Sequence, residues 1–186
     1  MPANRESLPV RHTEDLRIGR RSIPGARYFL TLCEVKRRPG FTVPRIAEAL
    51  RAAVEECHAS GDFTLRAATV MPDHIHLLGT LGSRLSLHRV VGKFKARTRD
   101  TLRQRALEWQ DNFYDHRLDP DDDAEPYALY LFLNPYRAGL LNSDQPWTHR
   151  WRWGEVRFRF ETMLTEGGGA QPEWLDRPAP EGARDF

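Results

Sequence analysis

Two hydrophobic periods alternate along the chain. Residues 28–35 (YFLTLCEV) are almost continuously apolar or β-forming, the pattern of a central buried strand, and Arg37-Arg38-Pro39-Gly40 ends it. Pro44 suits the first position of a helix, in which Ile46, Leu50, Val54 and Cys57 recur at helical spacing until Ser60-Gly61-Asp62. Residues 63–71 and 74–81 then predict two strands joined by the tight Pro72-Asp73 turn, a hairpin. A long helix is expected over 85–107, with Leu87, Val90, Val91, Phe94 and Leu102 on its apolar stripe. The aromatic block 109–118 (WQDNFYDHRL) predicts an edge strand. A helix follows from Ala124 or Pro126, broken or kinked at Pro135 and stopped at Gly139.

The order β-α-β-β-α-β-α predicts an α+β fold: a ferredoxin-like split βαβ antiparallel sheet with helices packed on it. Residues 1–24 are polar and punctuated by proline, an arm before a single domain over 25–160. Residues 161–186, with Gly167-Gly168-Gly169, are expected to form a flexible tail. Between them, residues 147–160 interleave Trp147, Trp151, Trp153, Phe158 and Phe160 with Arg150, Arg152, Arg157 and Arg159. That alternation suits either a base-stacking, phosphate-holding platform or a half-buried edge strand.

Charge changes this picture locally. The 186-residue chain carries a net charge of only +2. Yet residues 84–105 hold Arg84, Arg89, Lys93, Lys95, Arg97, Arg99, Arg103 and Arg105 against one acid, Asp100, whereas 119–125 holds acids and no bases. A basic helix of this kind suits a polyanion or a solvated face. Arg89, Lys93, Lys95 and Arg97, with Arg150 and Arg152, are the candidate nucleic-acid contacts. Cys33 and Cys57 lack metal-ligand spacing and read as buried thiols of a reducing compartment. No apolar run approaches the length of a membrane span, and the expected location is cytoplasmic.

The candidate chemistry lies in two stretches. In Met71-Pro72-Asp73-His74-Ile75-His76-Leu77-Leu78, a strand puts both imidazoles on one face, with Cα atoms roughly 7 Å apart. The pair could meet on a divalent ion or a phosphate, or simply be satisfied histidines on a sheet face. In the second stretch, Tyr130 and Asn134 stand at i and i+4 on one helix face. Read alone, Tyr130 suits a core aromatic and Asn134 a cap at the Pro135 break.

Together, MPDHIHLL and YLFLNPYRAGLL (residues 130–141) resemble the REP-associated tyrosine transposases, within the HUH group of single-strand DNA endonucleases. The resemblance extends over residues 22–153 and includes the Trp109-Gln110…Phe113…His116-Arg117 block. It implies that His74 and His76 hold Mg²⁺ or Mn²⁺, that Asn134 is a third ligand, and that Tyr130 is the nucleophile forming a 5′-phosphotyrosyl intermediate. It implies as partner a single-stranded DNA carrying a hairpin, bound by a monomer or homodimer. The chain departs from the family pattern at Leu131, Phe132 and Leu133, where another Tyr or His is often found. The alternative is a noncatalytic single-strand nucleic-acid-binding module on the same fold. A small-molecule metal hydrolase is disfavoured, because no further His/Asp/Glu cluster accompanies the pair. His116 could position DNA or simply pack.

Overall fold

A computed structural model describes residues 22–155 and 157–183; most of the expected N-terminal arm therefore lies outside the described residues. The strands are β1 (Arg27–Cys33), β2 (Phe63–Val70), β3 (His74–Leu81), β4 (Tyr114–Arg117) and β5 (Arg150–Arg152), and the helices are α1 (Pro44–Ala59), α2 (Leu87–Arg103) and α3 (Glu125–Arg137). The sheet order is β4-β1-β3-β2-β5, and every neighbouring pair is antiparallel. Its first four strands with α1 and α2 make the split βαβ pattern expected from the sequence; β5 extends the β2 edge.

The alternation of each strand divides the interior into two apolar layers. One face of the sheet packs Leu30, Leu32, Ile75 and Leu77 against the apolar stripes of α1 and α2. The other packs Phe29, Ala67 and Leu78 against α3. α3 lies between the sheet and a C-terminal layer, so its residues are buried nearly all round; Tyr127 through Leu133 have no exposed member.

Several boundaries move for local reasons. α2 starts at Leu87 because the Ser86 hydroxyl caps it, accepting from Arg89 N–H. It stops at Arg103 because Ala106 takes φ +56°, and Leu107 N–H turns back to the Leu102 carbonyl at 3.1 Å. α3 runs through Pro135 to Arg137 rather than breaking at it. Pro135 falls in the last turn, where only the Leu131 carbonyl loses its partner, and Gly139 at φ +65° then ends the helix.

The segment expected to be a flexible tail packs on α3 instead. Ala170 and Trp174 enter its apolar layer, and Arg137 donates to the carbonyls of Leu175 (3.1 Å) and Arg177 (2.5 Å). Apolar residues spaced along an irregular segment carry no period, so this docking left no pattern to read.

At the other end of the sheet, Asp62 ties the α1–β2 turn to α2. Its side chain is 3% exposed and accepts from Lys93 Nζ at 2.9 Å, Arg84 at 2.8 Å and Ser60 Oγ at 2.9 Å. The Lys93 hydrogen bond, outweighing burial and joined by Ser60 and Arg84, holds the Asp62 carboxyl below the usual carboxylate range. The unfolded chain therefore binds a proton more readily than the folded one. The stabilisation is present above about pH 4 and is lost as pH falls through the folded value. Asp62→Asn is expected to lower stability at pH 7 by about 1–2 kcal/mol, a figure discounted because both cations are partly in solvent. Urea midpoints at pH 7 and pH 3 check this: the gap between the two proteins narrows at the lower pH.

Candidate active site

The turn chemistry of Pro72-Asp73 starts β3 at His74, and the strand's twofold period puts His74 and His76 on the face that meets α3. Thr31 of β1 and Thr69 of β2 flank His76 in register, and Tyr114 and Arg150 complete that row across the sheet. His76 is fully buried. It stacks on Phe29 at 5.3 Å between ring centroids, and the Tyr130 ring approaches both of them edge-on at 5.8 Å. Tyr130 and Asn134, one turn apart on α3, face this same row. The sheet and helix stretches singled out in the sequence thus meet.

The imidazoles converge. Nε2 of His74 and Nε2 of His76 are 3.0 Å apart, with the rings nearly perpendicular at 84°. The Nδ1 atoms point outward to other partners. His74 Nδ1 lies 2.7 Å from Asp73 Oδ1, and His76 Nδ1 lies 2.8 Å from Thr31 Oγ1. Asn134 spends its amide nitrogen on the Tyr130 carbonyl at 2.8 Å and also hydrogen-bonds the His76 ring. That second contact favours protonated His76, as an amide oxygen accepting from the ring does.

Burial pushes the His74 pKa down, opposed by Asp73 and assisted by the Arg37 charge. His76 is pushed well down, first by burial, then by the charges of His74 and Arg37, with Asn134 opposing. Both rings are therefore neutral near pH 7, the state in which an imidazole is a metal ligand. Two donors at right angles on an octahedral ion, with bonds of about 2.1 Å, stand about 3 Å apart. The Nε2 pair has that spacing, and Asn134, in contact with the His76 ring, carries an amide oxygen, a hard donor type.

At the rim, Arg37 Nε pairs with Asp73 Oδ2 at 2.9 Å. Arg37 takes φ +58°, a left-handed conformation that costs about 1–2 kcal/mol in a residue with a Cβ. The buried Glu34 carboxylate holds the residues on either side, accepting from Lys36 N–H at 2.6 Å, Arg38 N–H at 2.9 Å and the Arg38 guanidinium at 2.7 Å. Burial would push the Glu34 pKa up, but these hydrogen bonds, Arg38 foremost, hold it below the usual range. Asp73 likewise is lowered against its burial by the His74 hydrogen bond and by the charges of His74 and Arg37. In the sequence Asp73 reads as a turn residue and Arg37 as part of a strand terminator, and Thr31 as one more strand residue. The adjacency of Asp73 to His74 was the one signal available.

The basic residues separate from this site. Arg89, Lys93, Lys95 and Arg97 are on α2, across the sheet from the histidines. Arg89 is exposed, whereas Lys93 pairs with Asp62 and Arg97 with Glu56 at 2.7 Å. Lys95 is buried, and its ammonium group is held by the carbonyls of Gln110 (2.6 Å), Asp111 (3.2 Å) and Asn112 (3.2 Å). It anchors the loop before β4 and offers no charge to solvent, because the position falls on the inner side of the helix.

Arg150 and Arg152 do share the α3 face, yet both are engaged by Glu161, at 2.5 Å and 3.4 Å, and Arg150 also lies over the Phe132 ring at 4.9 Å. Trp151 and Trp153 pack on the opposite layer. Only Arg150–Arg152 of the interleaved segment is a half-buried edge strand. Arg150 and Arg152 face one layer with Phe158 and Phe160, Trp151 and Trp153 the other, and this divides the expected stacking platform. His116 packs: it stacks on Tyr127 at 5.6 Å, with Nε2 3.0 Å from the Tyr127 hydroxyl.

The sequence pattern of the family described as "Transposase IS200 like" matches residues 22–118, just over half of the chain. The chain belongs to the IS200-like transposase family. That match spans β1 to β4 and includes His74 and His76; α3, with Tyr130 and Asn134, lies beyond it. Among relatives of this transposase, a protein of Haemophilus influenzae described as a REP-associated tyrosine transposase is 26% identical, over 67% of this chain and 78% of its own length. The REP-associated tyrosine transposase of Escherichia coli K12 is 24% identical, over 67% of this chain and 75% of its own. A solved structure of a REP-associated tyrosine transposase bound to a REP hairpin superposes with a TM-score of 0.58 at 21% identity, covering 75% of this chain and 93% of that one. The likeness shows the fold to be that of the REP-associated enzymes. As a family member, the protein is an enzyme of the transposase type. Among the described residues, no helix is long and apolar enough to cross a membrane.

Proposed function

We propose that this transposase cleaves and rejoins single-stranded DNA beside a REP-like hairpin, with Tyr130 as nucleophile and a divalent ion held by His74, His76 and Asn134. The observation that carries the reading is the 3.0 Å convergence of two neutral Nε2 atoms beneath the helix that bears Tyr130 and Asn134. Here both Nδ1 atoms have outer partners and both Nε2 atoms face one point. The two rings can also satisfy each other as a hydrogen-bonded pair; what favours a metal site is that the pair lies beneath the helix carrying Tyr130 and Asn134.

Bound there, Mg²⁺ or Mn²⁺ would supply Lewis-acid polarisation of a phosphate oxygen. The chain's own residues do the rest. The Tyr130 oxygen attacks phosphorus, a phosphotyrosyl O–P bond forms, and the P–O3′ bond breaks. The phenol gives up its proton, and the released 3′ oxygen gains one. The phosphodiester energy is kept in the covalent bond, so a DNA hydroxyl can later reverse the step and complete strand transfer. Tyr130 is 2% exposed, and the Arg137 guanidinium, tied to the C-terminal segment, lies 5.8 Å from its ring. A phosphodiester therefore reaches the phenol only when this end of α3 or the side chain moves. A cytoplasmic location and a monomeric or homodimeric state are parts of this same proposal.

The test is incubation with labelled single-stranded hairpin DNA from the flanks of the coding sequence, with Mn²⁺ or with EDTA. A protein–DNA adduct that survives denaturation and forms only with Mn²⁺ is expected. Tight binding without an adduct in either condition would favour the noncatalytic module.

A further inference from the structure

We infer that Asp73, clamped by Arg37, is the positioning residue that holds His74 in its metal-binding form. This inference rests on the metal site proposed above. A carboxylate can only accept, so the 2.7 Å contact between Asp73 Oδ1 and His74 Nδ1 requires the proton to sit on Nδ1. The lone pair is then on Nε2, the atom that faces His76. The Arg37 amino group also approaches His74 Nδ1, at 3.4 Å, but an arginine can only donate, and a nitrogen already carrying a proton cannot accept from it. The shorter, charge-assisted contact decides the tautomer, and Arg37 acts on the carboxylate instead.

The two histidines are held differently. Without metal, the His74 Nε2 lone pair at 3.0 Å and the accepting Asn134 oxygen place the His76 proton on Nε2, with the Thr31 hydroxyl donating to Nδ1. That hydroxyl can rotate to accept, so the proton can pass to Nδ1 when Nε2 is needed as a ligand. Asp73 leaves His74 no such choice. His74 is thus the pre-set ligand and His76 the adaptable one.

The clamp is built into the backbone. Arg37 reaches Asp73 from its left-handed position because Glu34 fixes both neighbours, and the same loop docks on the hairpin, with Gly40 and Phe41 N–H donating to the Pro72 carbonyl at 2.7 Å and 2.8 Å. The loop after β1 and the turn before β3 therefore move as one piece, and that piece aims His74. Outer partners that orient a ligating histidine in this way change metal affinity by about 10–100-fold.

The experiment has two readouts on the full-length protein, neither of them activity. The first is the His74 tautomer, read from imidazole ¹⁵N–¹H correlations without metal. The second is Mn²⁺ affinity by calorimetry. In the wild-type protein the proton is expected on Nδ1. Asp73→Ala should shift it to Nε2 and weaken Mn²⁺ by about 10–100-fold. Asp73→Asn keeps an accepting oxygen and should retain the Nδ1 proton with a smaller loss of affinity. If Asp73→Ala does not fold, Asp73→Asn and Arg37→Gln carry the test, each with an affinity between the two extremes. A His74 proton that stays on Nδ1 in Asp73→Ala, an Asn variant that loses it, or Mn²⁺ affinity within twofold of wild type in all variants, overturns the inference. A tautomer that shifts as expected in a protein whose wild type does not bind Mn²⁺ supports the proton assignment and overturns the metal site on which Proposed function stands.

Discussion

The Tyr130→Phe protein is expected to bind hairpin DNA about as tightly as wild type and to form no covalent adduct. Its ring contacts survive: Phe keeps the edge-on packing against Phe29 and His76 and the position beneath Arg137. Losing one buried hydroxyl costs on the order of 1 kcal/mol, too little to unfold a domain of this size. On the proposed mechanism, what disappears is the oxygen that forms the O–P bond, so the expected loss of cleavage is complete and not graded. Denaturing electrophoresis of labelled DNA separates adduct from bound strand. Nicking by Tyr130→Phe at the wild-type rate would remove Tyr130 from the reaction.

The second large effect is expected from His76→Ala. Lewis-acid assistance at a phosphoryl oxygen is worth several kcal/mol, so removing one ligand should lower cleavage by about 10³-fold. Mn²⁺ binding should fall with it, whereas affinity for the DNA strand should change little. His88→Ala makes the control, because His88 is an exposed residue of α2 across the sheet, and its replacement should leave both quantities unchanged. His76 is fully buried against Phe29 and Thr31, so His76→Ala also carries a packing cost. Comparing thermal stability with and without Mn²⁺ separates the terms: the wild type gains stability from the ion and the variant does not. Equal stabilisation of both proteins would place the ion elsewhere.

Much of the site was legible because each half of it lies within one regular element. The twofold period of a strand alone puts His74 and His76 on one face, and the i to i+4 relation of a helix does the same for Tyr130 and Asn134. Pro72-Asp73 marked where β3 begins, Pro44 where α1 begins, and Gly139 where α3 ends, each through a backbone preference that needs no tertiary partner. Lys95 was not legible in the same way. It falls on the inward side of α2 by position, but only the loop carbonyls of residues 110–112 make burial of its ammonium tolerable.

The sequence by itself determined the elements, their order, the α+β class and which chemical groups share a face of one element, since these follow from local backbone preference and periodicity. Tertiary structure decided which faces meet. It set α3 over the histidines and the basic helix α2 across the sheet from them, sent Arg150 and Arg152 to one layer and Trp151 and Trp153 to the other, and brought Phe158, Phe160, Ala170 and Trp174 onto α3. It also brought Arg37 to Asp73, through a left-handed residue held by a buried carboxylate. All of these are contacts between residues distant in the chain. Their energies come from burial and pairing in the assembled core, which no local period encodes.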